Sequence, residues 1–178
     1  MSRRLLGLAG LIGLVGLQAA IGPHLAILGV APDLPLVAVL VVAMLSGPTR
    51  GAVTGVCVGL LLDVLRGNLI GLFALSTGAA GWLCGQAAAR IDPTRAAVRW
   101  VLAAGAAAVY GTMLIAVALV ASRGAVDVPG VVRHLVVATL YDGTLAALFY
   151  WPAARRGTGA GLIGDRRTPT WRPPHWRR

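Results

Sequence analysis

Apolar residues along the chain collect into six stretches, and short gaps holding most of the charge separate them. The first runs from about Leu5 to Ile21 and stops at Gly22-Pro23-His24; the second runs from about Leu34 to Ser46 and stops at Gly47-Pro48. The third covers Gly51 to Leu65, the fourth Leu69 to Ala89, the fifth Ala96 to Ala121 and the sixth Val131 to Trp151. A helix that crosses a bilayer needs roughly 20 apolar residues, with a lower limit near 17. The second and third stretches barely reach that limit even with their flanks. They read as two short crossings or as a hairpin that does not fully cross. Leu25 to Val30 is too short to span and suits the outer interface. The pattern predicts an all-α polytopic membrane protein with about six spans, five being the main competitor.

Arginine placement orients the spans. All 16 basic residues are Arg. Arg3 and Arg4 precede the first stretch, Arg50 sits in the second gap, and Arg90, Arg95 and Arg99 lie in or beside the fourth. Arg155, Arg156, Arg166, Arg167, Arg172, Arg177 and Arg178 follow the last stretch, whereas the alternate gaps hold only Arg66, Arg123 and Arg133. Positive charge accumulates on cytoplasmic loops, so both termini are expected in the cytoplasm. Arg50 between the second and third stretches favours two crossings over a shallow hairpin.

Composition narrows the class. With 57% hydrophobic and 12% charged residues and a mean hydropathy of +0.79, the chain lacks the polar surface of a soluble domain of 178 residues. The net charge of +10 flanks apolar segments and forms no continuous basic face, which argues against nucleic acid and for attraction to anionic lipid. The absence of Lys excludes a phosphate-cradling loop that ends in Lys. Cys57 and Cys84 lie inside apolar stretches without metal or redox spacing, and His24, His134 and His175 are scattered. No metal or cofactor is expected. Ser2-Arg3-Arg4 before the first stretch resembles a secretory signal, but no soluble domain follows it, so an uncleaved helix is the better reading. The expected division is a transmembrane domain over residues 1–154 and a basic tail over 155–178. The tail is rich in Arg, Pro and Trp and has nothing with which to build a core.

A few residues stand out against this background. Asp142 falls near the middle of the sixth stretch, where a carboxylate costs roughly 2.5–3.5 kcal/mol on insertion scales and must face other helices. A hydrogen bond between helices is favoured over a proton relay or ligand contact, with Gln18, Tyr110 and Thr112 as possible partners. Asp63 lies three residues before Arg66, a spacing that allows them to pair, and Asp33 lies in the other short outer gap. Asp33, Asp63 and Arg66 could form one outer polar cluster, or simply be solvated span ends. Gly47, Gly51, Gly55 and Gly59 recur every four residues, and Gly78, Gly81 and Gly85 continue the theme in the fourth stretch. Such spacing makes a flat stripe for close helix approach, by a helix of this chain or of another protein.

Taken in order, several of these pieces resemble a known family. Leu17-Gln18, Gly22-Pro23-His24-Leu25, Pro32-Asp33-Leu34, Gly47-Pro48, Gly51-Ala52-Val53-Thr54-Gly55 and Gly59-Leu60-Leu61-Leu62-Asp63-Val64-Leu65 are followed by Gly71-Leu72, Ala74-Leu75 and Gly81-Trp82-Leu83-Cys84-Gly85. The series is similar to the MreD family of rod shape-determining membrane proteins over about residues 17–90. Pro32-Asp33-Leu34 and Gly59 to Asp63 are the most diagnostic pieces. Beyond residue 90 only the span pattern and Tyr141-Asp142 fit, and the Trp-Arg-Pro tail is outside the pattern. The absence of Lys, with abundant Ala, Gly and Arg, suits a GC-rich genome and an actinobacterial-type member, where the wall served could be that of a spore.

The resemblance implies a small, non-enzymatic component of the bacterial wall-elongation machinery in the cytoplasmic membrane. It would act with MreC, MreB, RodA and a transpeptidase, in a fold likened to the substrate-binding subunits of vitamin transporters. On this reading the helices pack against the transmembrane segment of MreC, Gly51, Gly55 and Gly59 make helix contact with a partner inside or outside the chain, and Asp33 and Asp63 hold the outer ends together. The rival is a transporter subunit that captures a vitamin-like ligand in a cavity lined by Asp142 and Asp63. Outer loops too short to close over a ligand count against it. An enzyme is disfavoured because no nucleophile has a base beside it and no acid–base pair converges.

Overall fold

The computed structural model of the protein describes residues 13, 16, 18, 29–67, 71–91, 93–121 and 127–155. The first apolar stretch, apart from Gly13, Gly16 and Gln18, lies outside the described residues. So do most of the Leu25–Val30 piece and the tail beyond Arg155. The described part contains five helices: α1 (Leu34–Ser46), α2 (Pro48–Arg66), α3 (Leu72–Arg90), α4 (Ala96–Ala121) and α5 (Val128–Arg155). Three of them, α2, α4 and α5, are long and apolar enough to cross a membrane, and α1 is a shorter apolar helix.

Local chemistry sets the ends. Asp33 caps α1 by accepting the Leu36 N–H at 3.1 Å, and Pro35 occupies an early position where a missing N–H costs nothing. The α1–α2 corner turns at Gly47, whose φ of 87° suits glycine, and Pro48 then starts α2. The third stretch therefore begins three residues earlier than its apolar run suggested. Gly71, with φ of 103°, delays the start of α3 to Leu72. The sixth stretch becomes a 28-residue helix that carries Pro152 within its last turn.

Neighbouring helices run antiparallel. Gly51 of α2 meets Ala43 of α1, Gly85 of α3 meets Pro48, and Gly143 of α5 meets Ala104 of α4. One end of the bundle therefore carries Arg50, Arg90, Arg95, Arg99 and Arg155, and the opposite end Arg66 and Arg133. The core centres on α1, where Leu36, Val39, Leu40 and Ala43 are fully or nearly fully buried among α2–α5. The outward residues are apolar too: Val53, Val64, Leu75, Val101, Val132, Val136, Leu148 and Phe149 are all exposed. A bundle with apolar residues on both its inside and its outside is the signature of a lipid environment.

Helix length fixes the depth of each group. At 1.5 Å per residue α1 is only about 20 Å long, against about 40 Å for α4 and α5. The amino end of α1 consequently lies beside the middle of α4 and α5, not beside their outer ends.

Candidate functional site

This offset brings together groups that the sequence separates. The Tyr110 hydroxyl, at the middle of α4, donates to Asp33 Oδ2 at 2.8 Å. The Asp33 backbone N–H donates to Asp142 Oδ1, at the middle of α5, at 2.9 Å. Gln18 closes the group from the amino-terminal side: its Nε2 donates to the Pro32 carbonyl at 2.6 Å, and its Oε1 accepts the Leu34 N–H at 3.0 Å. Three segments, carrying Gln18, Tyr110 and Asp142, thus converge on the Pro32–Leu34 turn. Asp142 is 4% exposed and Tyr110 6%. A carboxylate at that depth requires such partners, because an unpaired one is expensive in hydrocarbon.

Above this cluster, between the far halves of α4 and α5, lies a cavity of about 330 Å³. Asp33, Tyr110, Thr139 and Asp142 form its floor, Arg66 and His134 stand higher, and Gly111, Leu114, Ile115 and Leu135 are among its apolar walls. Thr139 Oγ1 is buried there with no hydrogen-bond partner among the described residues.

Asp63 takes no part in this cavity. It is 1% exposed, and its carboxylate accepts the N–H groups of Gly71 (2.9 Å), Phe73 (3.0 Å) and Ala74 (3.2 Å). It therefore caps α3, whose own start offers no capping side chain. The single outer cluster of Asp33, Asp63 and Arg66 is divided accordingly: Asp33 and Arg66 line the cavity, and Asp63 is spent on α3. Asp63 and Arg66 do not pair as their spacing allowed. The Arg66 guanidinium lies over the Phe73 ring, 4.6 Å from its centroid. Of the partners expected for Asp142, Tyr110 and Gln18 reach it only through the Asp33 turn. Thr112 bonds back to the carbonyls of Ala108 and Val109 in its own helix.

The glycine stripe faces α3. A Cβ on Gly51 would stand 2.5 Å from the Gly81 carbonyl oxygen, and one on Gly85 2.6 Å from Pro48 Cα. Additions at Gly55 and Gly59 would strike the backbone at Thr77 and Ala74. The glycines of the third and fourth stretches are therefore the two sides of one internal seam, in which Thr77 Oγ1 also donates to the Gly55 carbonyl at 2.6 Å. That leaves the stripe no room for a helix of another protein. Gly47 turns the corner, and its backbone lies against Gly85 at the end of the seam.

One buried cation had no advance signal. Arg99 is 8% exposed at the basic end, donates to the Thr94 carbonyl at 2.9 Å, and faces the rings of Tyr150 and Trp151 at 5.2 and 5.8 Å. Among the described residues no group of three His, Cys or acidic side chains is placed to hold a metal ion.

No curated protein and no solved structure matches the chain. The family model of the rod shape-determining protein MreD matches residues 3–154, which include all five helices up to the last turn of α5. Apolar helices inside and out, the Asp33 turn, the Asp63 cap and a match over most of the length agree, and the chain belongs to the MreD family of rod shape-determining membrane proteins.

Proposed function

We propose that this protein is a non-enzymatic scaffold, multi-pass in the bacterial cytoplasmic membrane with both termini inside. It joins MreC and the peptidoglycan synthases of wall elongation, or of a spore wall, with MreB and RodA in the same assembly. Family membership implies the role in shape determination. The observation that carries the scaffold reading is the internal spending of polar groups. Asp33, Asp63, Tyr110 and Thr77 each hold one helix to another. That is the arrangement of a rigid support. The arginine split between the two ends supports the orientation, and residues 155–178 read best as a basic cytoplasmic tail against anionic lipid.

With the glycine seam closed, a partner helix must meet an outward row. The row Val132, Val136, Leu140 and Leu148 on α5 is the longest such ridge, and its members are each 45% exposed or more. The test is affinity purification of the tagged chain from its native membrane with crosslinking and mass spectrometry. Recovery of MreC and wall-synthesis enzymes, with crosslinks to α5, is expected. Recovery of an ATPase pair with a coupling membrane subunit would overturn the scaffold in favour of ligand capture.

A further inference from the structure

We propose that the cavity between α4 and α5 is a binding site for a small dipolar group, an ammonium linked to a phosphate or carboxylate. The ammonium sits on the Asp33–Asp142 floor and the anion at Arg66.

The charges of the cavity are sorted by height. Counted at 1.5 Å per residue from the basic end, Asp33, Tyr110 and Asp142 all lie at about 20 Å, while Arg66 and His134 lie at about 27–32 Å. The floor is therefore acidic and the rim basic, with roughly 7–12 Å of depth between their backbones, shortened by the reach of the side chains. A purely cationic ligand would meet Arg66, and a purely anionic one would meet two carboxylates. A molecule carrying both charges in that order satisfies both ends.

Three observations make this a built site and not merely a gap between helices. Asp142 is 4% exposed, yet it lines the cavity, and among the described residues only its Oδ1 is engaged, by the Asp33 N–H. Thr139 Oγ1, on the same floor, is buried without a partner among the described residues, and an orphan hydroxyl is costly unless something arrives to bond it. Arg66 is held by its face against Phe73, which fixes the guanidinium while leaving its N–H edge unspent among the described residues. The volume of about 330 Å³ is at the small end for ligand sites, enough for a solute or headgroup and not for a large cofactor.

The same chemistry could come from a free solute or from an ethanolamine phosphate lipid headgroup, and phosphoethanolamine is a probe common to both. Thermal unfolding of the purified full chain should be followed with free phosphoethanolamine, with ethanolamine and phosphate separately, and in nanodiscs of phosphatidylethanolamine, phosphatidylglycerol or phosphatidylcholine. A saturable rise in Tm of ~5–10 °C at about a hundredfold excess over Kd is expected with the dipolar probe. Either half alone should do far less. Response to the free probe identifies a solute site; response only to phosphatidylethanolamine identifies a headgroup site. Arg66→Gln and Asp142→Asn should each abolish the rise, and Arg66→Gln, at an exposed position, decides the matter if the other variant does not fold. No stabilisation by any dipolar probe, or an undiminished rise in Arg66→Gln, would overturn the assignment. The site is independent of the scaffold reading: if only the cavity assignment is wrong, the parent chain still recovers MreC while no dipolar probe stabilises it.

Discussion

The Asp63 carboxylate accepts the Phe73 backbone N–H at 3.0 Å, so a residue of α2 supplies the amino-terminal cap that α3 lacks. Two further N–H groups, from Gly71 and Ala74, share the same carboxylate. Charge-assisted hydrogen bonds contribute about 1.5–3 kcal/mol each, and a donor left bare in a buried site costs a similar amount. Asp63→Ala should therefore lower stability by about 3 kcal/mol or more, with the loss concentrated in α3. Asp63→Asn keeps one acceptor oxygen and should fall between. Thermal unfolding in detergent measures both, and an alanine variant as stable as the parent would remove the cap from the account.

Two opposing effects meet at Gly55. Replacing a mid-helix glycine gains up to about 1 kcal/mol of helix propensity. Against it, any Cβ there strikes the Thr77 backbone, and backbone cannot swing aside. Overpacking of this kind costs about 1–3 kcal/mol even where neighbours can shift. Steric cost wins, so Gly55→Leu should disrupt the α2–α3 seam and Gly55→Ala should still destabilise. Val53→Leu, on the exposed side of the same helix, is the matched control and should be neutral. Equal stability of Gly55→Leu and Val53→Leu would show that the seam is not tight.

Much of this architecture was legible because hydropathy and stop signals are local. The second and fifth stretches coincide with α1 and α4 as read, and Gly47-Pro48 marks the corner. The glycine spacing announced close packing but not its partner, since a flat stripe is equally compatible with any small-residue face. The Asp63 cap left a faint signal: a helix opening on Gly71-Leu72, with no Ser, Thr, Asp or Asn at its start, has to borrow a cap. The Asp33–Asp142 contact left none. It joins residues 109 positions apart and arises because α1 is half the length of α5, a property of the assembled bundle. Arg99 was counted as a topology charge for a similar reason, since only the return of α5 brings Tyr150 and Trp151 over it.

The hydroxyl of Tyr110 and the charge of Asp142 are separable. Tyr110→Phe keeps the ring and removes the donor to Asp33 Oδ2, so one carboxylate oxygen loses its partner in a part-buried site. The expected loss is about 1–3 kcal/mol. Asp142→Asn retains an oxygen for the Asp33 N–H and removes one of two neighbouring negative charges, so its expected cost is smaller than that of Tyr110→Phe. Paired unfolding curves decide the order. A larger loss for Asp142→Asn would mean that its charge, and not its role as an acceptor, holds the turn.

The arginine asymmetry predicts which end faces the cytoplasm. Thr94 and Asp127 are both exposed and lie at opposite ends of the bundle, Thr94 among Arg90, Arg95 and Arg99, and Asp127 beside α5's amino end. In a background of Cys57→Ser and Cys84→Ala, a membrane-impermeant thiol reagent should label Asp127→Cys in spheroplasts. It should reach Thr94→Cys only after the membrane is broken. Positive residues resist translocation, and the described residues place five arginines at the Thr94 end against two at the other, Arg66 and Arg133. Labelling of Thr94→Cys in unbroken spheroplasts would invert the bundle, and with it the assignment of the α4–α5 cavity to the outer side.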